Sequence, residues 1–362
     1  MNKELLREHI VKFLKKLNEE PEQLRSGQSE RLERIKYYQS WTQEKMLSMS
    51  KADLLEYASK LWAMLIWGNK EYYVDQIIAK SGGIEKFRKN LVNLVWGKED
   101  IEFRWDHDRK IKNGMGHAMR SEILCHTFPG NYCIWNRRAY IAFTYLGIKD
   151  LPRYNYQVTG KRYKQLCELS KEISREMQNS GANDSTLLAA DYFLWSELQI
   201  EEEYSDQLHK EKIPTDVLKL SKEESEFIHN DVRDAIRDIG QWLGFKADIE
   251  KKVAEGSVVD AVWESQIGNM GRVIYVFEVQ TKGSVDSLIV NLLKARNNPA
   301  VQGVVAVSDV VQLEKIKKHA AQVRDLGDFL KVWDYAEVLR VHESLEFVNA
   351  SINKLNLVPE GF

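Results

Sequence analysis

In the last third of the chain, two patterns of apolar and polar residues follow each other in turn. A capping-box pattern at 221–224 precedes apolar residues spaced three and four apart, which predicts an amphipathic helix. Short apolar runs bounded by polar or glycine-containing stretches predict strands. The predicted elements are a helix over 221–243, a strand that begins at 245–249, strands over 257–263 and 272–280 joined by a turn over 264–271, a helix over 285–295, a strand over 303–307, a helix over 311–326 and a strand over 329–333. This order predicts a β-sheet flanked by helices.

The first two hundred residues carry helical spacing almost throughout. The clearest segments are 54–67, 92–96, 162–177 and 187–195. After them the chain becomes acidic and then mixed in charge, and it contains Pro214, which is typical of a linker. We therefore predict an α plus α/β fold class, with an all-helical domain over 1–205, a linker over 206–220 and a second domain over 221–362.

Composition agrees with two cores and gives no sign of a membrane protein. The chain has 362 residues, of which 43% are hydrophobic. No stretch reaches the apolar length that spans a bilayer, and residues 1–4 begin a charged helix in place of a signal peptide. Cys125, Cys133 and Cys167 are odd in number and lack zinc-ligand spacing, so we interpret them as packing residues. We expect a cytoplasmic protein in a reducing compartment, with no membrane partner.

The overall charge does not indicate a nucleic-acid partner. Lys and Arg number 52 and Asp and Glu number 54, which gives a formal net charge of −2. Affinity for nucleic acid depends on the places where basic side chains meet phosphates. Any contact with DNA must therefore come from a local basic patch.

Three polar residues interrupt the apolar strands of the second domain. Asp260 lies within the strand 257–263, and Glu278 and Gln280 lie within the strand 272–280. Successive side chains of a strand alternate in direction, so Glu278 and Gln280 share one face. If the strands pair, Asp260 joins them. Two carboxylates and an amide oxygen are ligands that suit Mg²⁺ or Mn²⁺, which keep water and phosphate oxygens as their other ligands. Solvated carboxylates on a surface hairpin are the alternative interpretation.

This arrangement resembles the PD-(D/E)XK nuclease superfamily, whose core order is helix, strand with Asp, strand with Glu-x-Lys, helix, strand. Asp260 matches the Asp and Glu278 the Glu, and Gln280 stands where Lys is commonest; some restriction enzymes of the superfamily have Glu-x-Gln. The resemblance covers 221 to about 338 and implies a restriction endonuclease-like mixed sheet and hydrolysis of phosphodiester bonds. It implies a further acid from the first helix, Glu226 or else Glu223. Lys282 would stabilise the charged phosphate if the strand continues that far.

The most specific segment of the helical domain contains Gly114 and Gly116, one residue apart, directly before a predicted helix. Such a turn presents backbone N–H groups at a helix N-terminus, where they bind phosphate. An ordinary turn between two helices is the alternative. The basic residues near the turn are Lys110, Lys112, His117 and Arg120, and Arg137 and Arg138 follow. We interpret these residues and the two glycines as candidate DNA contacts, with a solvated basic face as the alternative for Arg137 and Arg138.

The segment 114–147 resembles the helix-hairpin-helix core of the DNA glycosylase superfamily. Asn136 stands at the place of the catalytic Asp, and Ala118 stands where a catalytic Lys would lie. Both departures disfavour glycosylase chemistry, because an amide cannot act as the required carboxylate. The domain contains aromatic residues that would hold a flipped base or, alternatively, pack in the core: Trp96, Trp105, Tyr132 and Trp135.

The sequence therefore predicts a Mg²⁺- or Mn²⁺-dependent endodeoxyribonuclease that acts on double-stranded DNA in restriction or defence. Three alternatives stay open: a catalytically inactive DNA-binding protein on a nuclease fold, a DNA glycosylase or repair protein, and an RNA-directed or toxin-like nuclease. Because cutting both strands calls for two active sites, we expect a homodimer.

Overall fold

The chain divides into two compact units, Met1–Glu211 and Lys212–Glu360. The computed structural model describes residues 1–19, 21–65, 70–198, 222–267, 271–281, 284–323, 326 and 329–353. The predicted linker, 206–220, and the predicted capping residue Ser221 lie outside these residues. The predicted domain boundaries thus remain predictions, and each unit is considered by itself.

The first unit is built from helices. They are α1 Lys3–Glu19, α2 Pro21–Gln39, α3 Gln43–Ser48, α4 Lys51–Ser59, a short 3₁₀ helix Trp62–Met64, α5 Lys70–Lys80, α6 Ile84–Trp96, α7 Ile101–Lys110, α8 His117–Thr127, α9 Arg137–Tyr145, a second 3₁₀ helix Asn155–Gln157, α10 Gly160–Asn179 and α11 Leu187–Glu197. Several begin at a side chain that accepts a hydrogen bond from a first-turn N–H group, namely Thr42, Ser50, Asp100, Asn136, Thr159 and Thr186. The three cysteines are buried and carry free thiols.

The predicted helix over 54–67 is wrong as a single element. α4 ends at Ser59, and the 3₁₀ helix follows. A carboxylate from α8 holds this break, since the Oε1 atom of Glu122 accepts from the N–H of Trp62 at 2.6 Å and its Oε2 atom accepts from that of Ala63 at 2.9 Å. Glu122 is distant in sequence, so local spacing does not reveal it.

We expect the pH dependence of stability to change when Glu122 is replaced by Gln. Burial raises the pKa of Glu122 from 4.5 to about 7. Between these values the folded chain holds a proton that the unfolded chain releases. The contribution of this group to stability is therefore full below pH 4.5 and is lost as the pH rises through about 7. The Gln variant lacks this proton, so its destabilisation relative to the wild type should shrink by roughly 3 kcal/mol across the window.

Urea denaturation of both proteins at the two ends of this window measures the change. His126 is buried beside Glu122, and burial lowers its pKa to about 3, so the wild type alone shows the sum of two opposite slopes. The difference between wild type and variant isolates Glu122. A difference that is equal at both ends would contradict this account.

The second unit combines helices with a sheet. Its elements are α12 Lys222–Trp242, β1 Lys246–Ala254, β2 Ser257–Ile267, β3 Gly271–Val279, α13 Val285–Arg296, β4 Val301–Ser308, α14 Val310–Ala320, β5 Leu330–Asp334 and α15 Tyr335–Asn353. The strands form one mixed sheet in the order β1-β2-β3-β4-β5. The pairs β1–β2 and β2–β3 are antiparallel, and the pairs β3–β4 and β4–β5 are parallel.

Helices pack on both faces of the sheet. Val262 belongs to the apolar cluster that contains Leu292 of α13 and Ile316 of α14. Trp263, the next residue, points to the other face, where its Nε1 atom donates to the carbonyl of Ile236 on α12 at 2.8 Å. The second unit is therefore a mixed α/β layer structure with the sheet between helices.

Three details of the predicted second domain differ. The strand predicted to begin at 245–249 is β1, which extends to Ala254 and pairs antiparallel with β2. The predicted turn over 264–271 is shorter, because β2 continues to Ile267 and buried Glu264 is held by Lys251 from β1 at 2.5 Å. The helix predicted over 311–326 ends at Ala320 as α14.

Candidate functional site

Adjacent strands bring Asp260 and Glu278 together. The antiparallel register pairs Ala261 of β2 with Phe277 of β3, which sets Asp260 beside Glu278 one residue further along. The Oδ2 atom of Asp260 accepts from the N–H of Val279 at 2.7 Å, so the backbone of β3 fixes this carboxylate. Asp260 and Glu278 therefore lie side by side, as expected if the two strands pair.

The two carboxyl groups share one proton at neutral pH. Burial and the neighbouring charge and hydrogen bond of Asp260 raise the pKa of Glu278 to about 9. Burial also disfavours the ionised form of Asp260, but the hydrogen bonds of His229, Val279 and Glu278 and the charge of His229 together hold the pKa of Asp260 below its ordinary 3.8. Two like charges this close do not both ionise without a cation, so Asp260 carries the charge and Glu278 the proton.

Two residues that no sequence pattern above indicated, His229 and Asn291, complete the site. His229 of α12 places its Nε2 atom 3.3 Å from the Oδ1 atom of Asp260. The Nδ2 atom of Asn291 on α13 donates to the Oε1 atom of Glu278 at 2.5 Å. His229 lies three residues after Glu226, one helical turn along the same face, and that spacing is a signal that points to it. Asn291 lies beside the apolar stripe of its helix, and no sequence spacing indicates that it belongs to the site.

Asn291 holds Glu278 in a fixed orientation. Its Nδ2 atom also donates to the carbonyl of Val258 on β2 at 2.9 Å, and its Oδ1 atom accepts from the hydroxyl of Ser257 at 2.9 Å. Ser257 is fully buried. Because both ends of the amide are engaged, the donor is aimed at Glu278.

Gln280 lies one step beyond β3, on the side of Glu278. Its N–H donates to the carbonyl of Val307 at 2.8 Å, and its carbonyl accepts from the hydroxyl of Ser308, so the parallel pairing with β4 continues through this residue. The Gln280 side chain is buried. Of the other predicted catalytic residues, Lys282 lies outside the described residues, and Glu226 belongs to α12 without a described side chain.

The residues present fit a hard divalent cation in one specific way. Within the described ranges, no group of three or more His, Cys, Asp or Glu side chains is placed to hold a metal ion. A cation at this site would therefore take one oxygen each from Asp260 and Glu278, with amide, water and phosphate oxygens as its other ligands, which is the ligand set that Mg²⁺ favours. Without a cation, protonation of Glu278 lowers the negative charge of the pair, so a cation that binds there must displace this proton.

In the helical unit, the predicted hairpin joins α7 to α8. Gly114 has a φ of +91°, a conformation that favours glycine, and Gly116 caps α8. The carbonyl of Gly114 accepts from the hydroxyl of Tyr73 at 2.6 Å, and the N–H of His117 donates to the Oδ1 atom of Asn155 at 2.9 Å. One amide of the predicted phosphate cradle is thus already engaged by the protein.

Two of the predicted DNA contacts do not suit that role. Arg120 is 2% exposed, and its Nε atom pairs with the Oδ2 atom of buried Asp108 at 2.6 Å, which ties α8 to α7. Burial lowers the pKa of His117 to about 4, so its ring is neutral at neutral pH and adds no positive charge. Lys110 is exposed, Lys112 is half-buried with a φ of +55°, and Arg137 and Arg138 are half-buried at the start of α9.

The candidate base-stacking residues pack within the unit. Trp105 and Trp135 are buried, and their Nε1 atoms donate to the carbonyls of Val158 and Pro152 at 2.8 and 3.0 Å. The Oδ1 atom of Asn136 accepts from the N–H of Ala139 at 3.0 Å as the cap of α9. Core packing explains Trp105 and Trp135, and a capping role explains Asn136.

Comparison of the chain with protein-family models, curated proteins and solved structures gave no match. Across the described helices, none combines the length and apolar character that crossing a membrane requires.

Proposed function

We propose that the protein is a metal-dependent endodeoxyribonuclease that hydrolyses phosphodiester bonds in double-stranded DNA, in restriction or defence against foreign DNA. The observation that carries the proposal is the mostly buried carboxyl pair of Asp260 and Glu278 on adjacent strands. In this proposal the second unit is a restriction endonuclease-like domain of the PD-(D/E)XK type. The helical unit is a helix-hairpin-helix-like domain that recognises DNA.

Asp260 and Glu278 would hold Mg²⁺ or Mn²⁺, with Gln280 as an amide ligand or as the group that positions water. The bound cation supplies an acidified water molecule and offsets charge on the phosphate. To become a ligand, Glu278 must give up the proton that it holds beside Asp260. The N–H of Val279 and the amide of Asn291 keep one oxygen of each carboxylate in place while that proton leaves.

Gln280 limits the roles that the site supports. An amide carries no titratable proton near neutral pH, so Gln280 cannot act as the base that a lysine would supply there. Lys282 as a stabiliser of the phosphate and Glu226 as a further acid remain parts of the proposal. A homodimer is proposed because each double-strand cut needs two such sites.

Gln280 is also the observation that favours a second candidate, a DNA-binding protein that keeps this fold without turnover. The two candidates differ in a single assay. Supercoiled plasmid incubated with the protein and Mg²⁺ or Mn²⁺ should become nicked and linear, and a chelator should stop the reaction, since the site lacks a third acidic ligand among the described side chains.

The same assay separates the remaining alternatives. RNA at equal concentration should be cut more slowly than DNA, and no free base should be released from damaged duplex. Intact plasmid under all metal conditions, with binding retained, would instead support the inactive protein. Release of base that depends on Asn136 would support a glycosylase.

A further inference from the structure

Three α-helices and one 3₁₀ helix of the first unit bring two arginines against aromatic rings. We call this the arginine–tryptophan cluster: Arg31, Trp62, Arg138, Tyr192 and Trp195. The guanidinium of Arg31 lies 4.0 Å from the ring centre of Tyr192, 4.9 Å from that of Trp62 and 5.8 Å from that of Trp195. The guanidinium of Arg138 lies 5.6 Å from the ring centre of Trp195. All these distances are within the range of cation–π attraction.

The two guanidinium groups retain unused hydrogen-bond donors. Arg138 makes no hydrogen bond or ion pair with any part of the chain that the structure describes. Arg31 donates to the carbonyl of Gly27 at 3.1 Å, whereas its buried Nε atom has no partner among the described residues. A cation–π contact offsets the positive charge of a guanidinium group, but it leaves the N–H groups in the plane of that group available to donate hydrogen bonds. Both arginines are half-buried, so an anion that reached them would be bound in a partly dehydrated place.

Asp191 offsets part of this charge at longer range. Its charge favours the cationic form of both arginines, yet no ion pair within 4.0 Å joins it to either. Burial raises the pKa of Asp191 to about 6, above its ordinary 3.8, although both arginines lower it. Asp191 therefore does not occupy the donors of Arg31 or Arg138.

The aromatic part of the cluster reaches the surface. The side chain of Trp195 is 39% exposed, and its ring stacks on Tyr192 at 6.1 Å between ring centres. A large exposed ring beside unused guanidinium donors matches a ligand that carries an aromatic base next to a phosphate. Proteins that bind single-stranded nucleic acid combine these two features.

We propose that the arginine–tryptophan cluster binds one unstacked nucleotide of a DNA strand, with Arg31 and Arg138 on its phosphate and Trp195 on its base. This inference deepens the proposed function, on which it rests for the choice of DNA as partner. It places a strand contact on α2, α9 and α11, apart from the Gly114 hairpin.

Fluorescence anisotropy with a fluorescein-labelled single-stranded oligonucleotide, measured in chelator across a salt series, tests the proposal on the full chain. Arg138→Gln should lower affinity roughly tenfold and reduce the salt slope by about 0.7, the value for one lost phosphate contact on a single strand. Trp195→Leu should lower affinity roughly 10- to 100-fold and leave the salt slope unchanged, because stacking does not release counterions.

Two matched variants serve as controls. Arg175→Gln removes an exposed arginine of α10, and Phe103→Leu removes a 64% exposed ring of α7. Both should bind like the wild type. If Trp195→Leu does not fold, as judged by circular dichroism, Trp195→Phe should show a smaller loss of affinity with the same unchanged slope.

Three results would overturn the inference: cluster variants that bind like the wild type, control variants that lose as much, or a wild type that does not bind the oligonucleotide. Plasmid cleavage is measured separately and reports on the proposed nuclease alone. Loss of binding in the cluster variants together with an uncut plasmid would support the cluster and reject the nuclease.

Discussion

Replacing Glu278 with Gln is expected to lower the rate of metal-dependent DNA cleavage by about a thousandfold or more, since a cation would lose one of its two carboxylate ligands. The substitution preserves the size of the side chain and its capacity to accept from Asn291. It removes the ionisable carboxyl group, so the side chain cannot lose a proton and offer a negative charge to a cation. Asp260→Asn should have an effect of similar size.

Stability should not fall with activity in these variants. Near neutral pH, folding must add a proton to Glu278, which costs free energy, whereas Gln is neutral in both states, so the midpoint of thermal unfolding of Glu278→Gln should equal or exceed that of the wild type. Glu255→Gln, in the exposed turn between β1 and β2, is the matched control and should cut normally. Full activity in both Glu278→Gln and Asp260→Asn would show that the site lies elsewhere.

Replacing Asn291 with Ala is expected to lower cleavage roughly 10- to 100-fold, the usual effect of losing a group that orients a metal ligand. Without its Nδ2 donor, the Oε1 atom of Glu278 is no longer held and the link to the carbonyl of Val258 is broken. Asn291 is a positioning residue, so the concentration of Mn²⁺ that gives half-maximal cleavage should rise. Titration of Mn²⁺ in the plasmid assay measures both quantities.

Asn298 provides a matched control for this prediction. Its Nδ2 atom donates to the carbonyl of Val253 at 2.9 Å and its Oδ1 atom accepts from the N–H of Ala300 at 3.0 Å, away from the carboxylates. Asn298→Ala should therefore cost similar stability while leaving the Mn²⁺ requirement unchanged. If both variants raise that requirement equally, the effect of Asn291 is merely structural.

The strands of the candidate site were accessible from sequence because their signals are local. Apolar runs interrupted by Asp260 and Glu278 predict buried strands with polar exceptions, and alternation places Gln280 on the face of Glu278. Once β2 pairs with β3, the register determines where the two carboxylates lie relative to each other.

The hydrogen-bond and ion-pair partners of those carboxylates could not be predicted from local sequence patterns. His229 and Asn291 reach the site because α12 and α13 pack onto the sheet, and the rotation of a helix about its axis depends on tertiary packing. Arg120 shows the converse, since its residue type indicates a surface cation and only the fold reveals buried Asp108 as its partner. Long-range ion pairs and hydrogen bonds of this kind leave no periodic trace in a sequence.

Anomalous diffraction from a crystal of the protein soaked in Mn²⁺ would show whether Asp260 and Glu278 bind a metal ion. We expect a peak bonded to one oxygen of Asp260 and one of Glu278, at about 2.0–2.3 Å from each. We also expect the hydrogen bond between the two carboxyl groups to be absent from that crystal. A crystal that shows this pair still sharing its proton, with manganese absent or bound at another place, would contradict the proposed metal site.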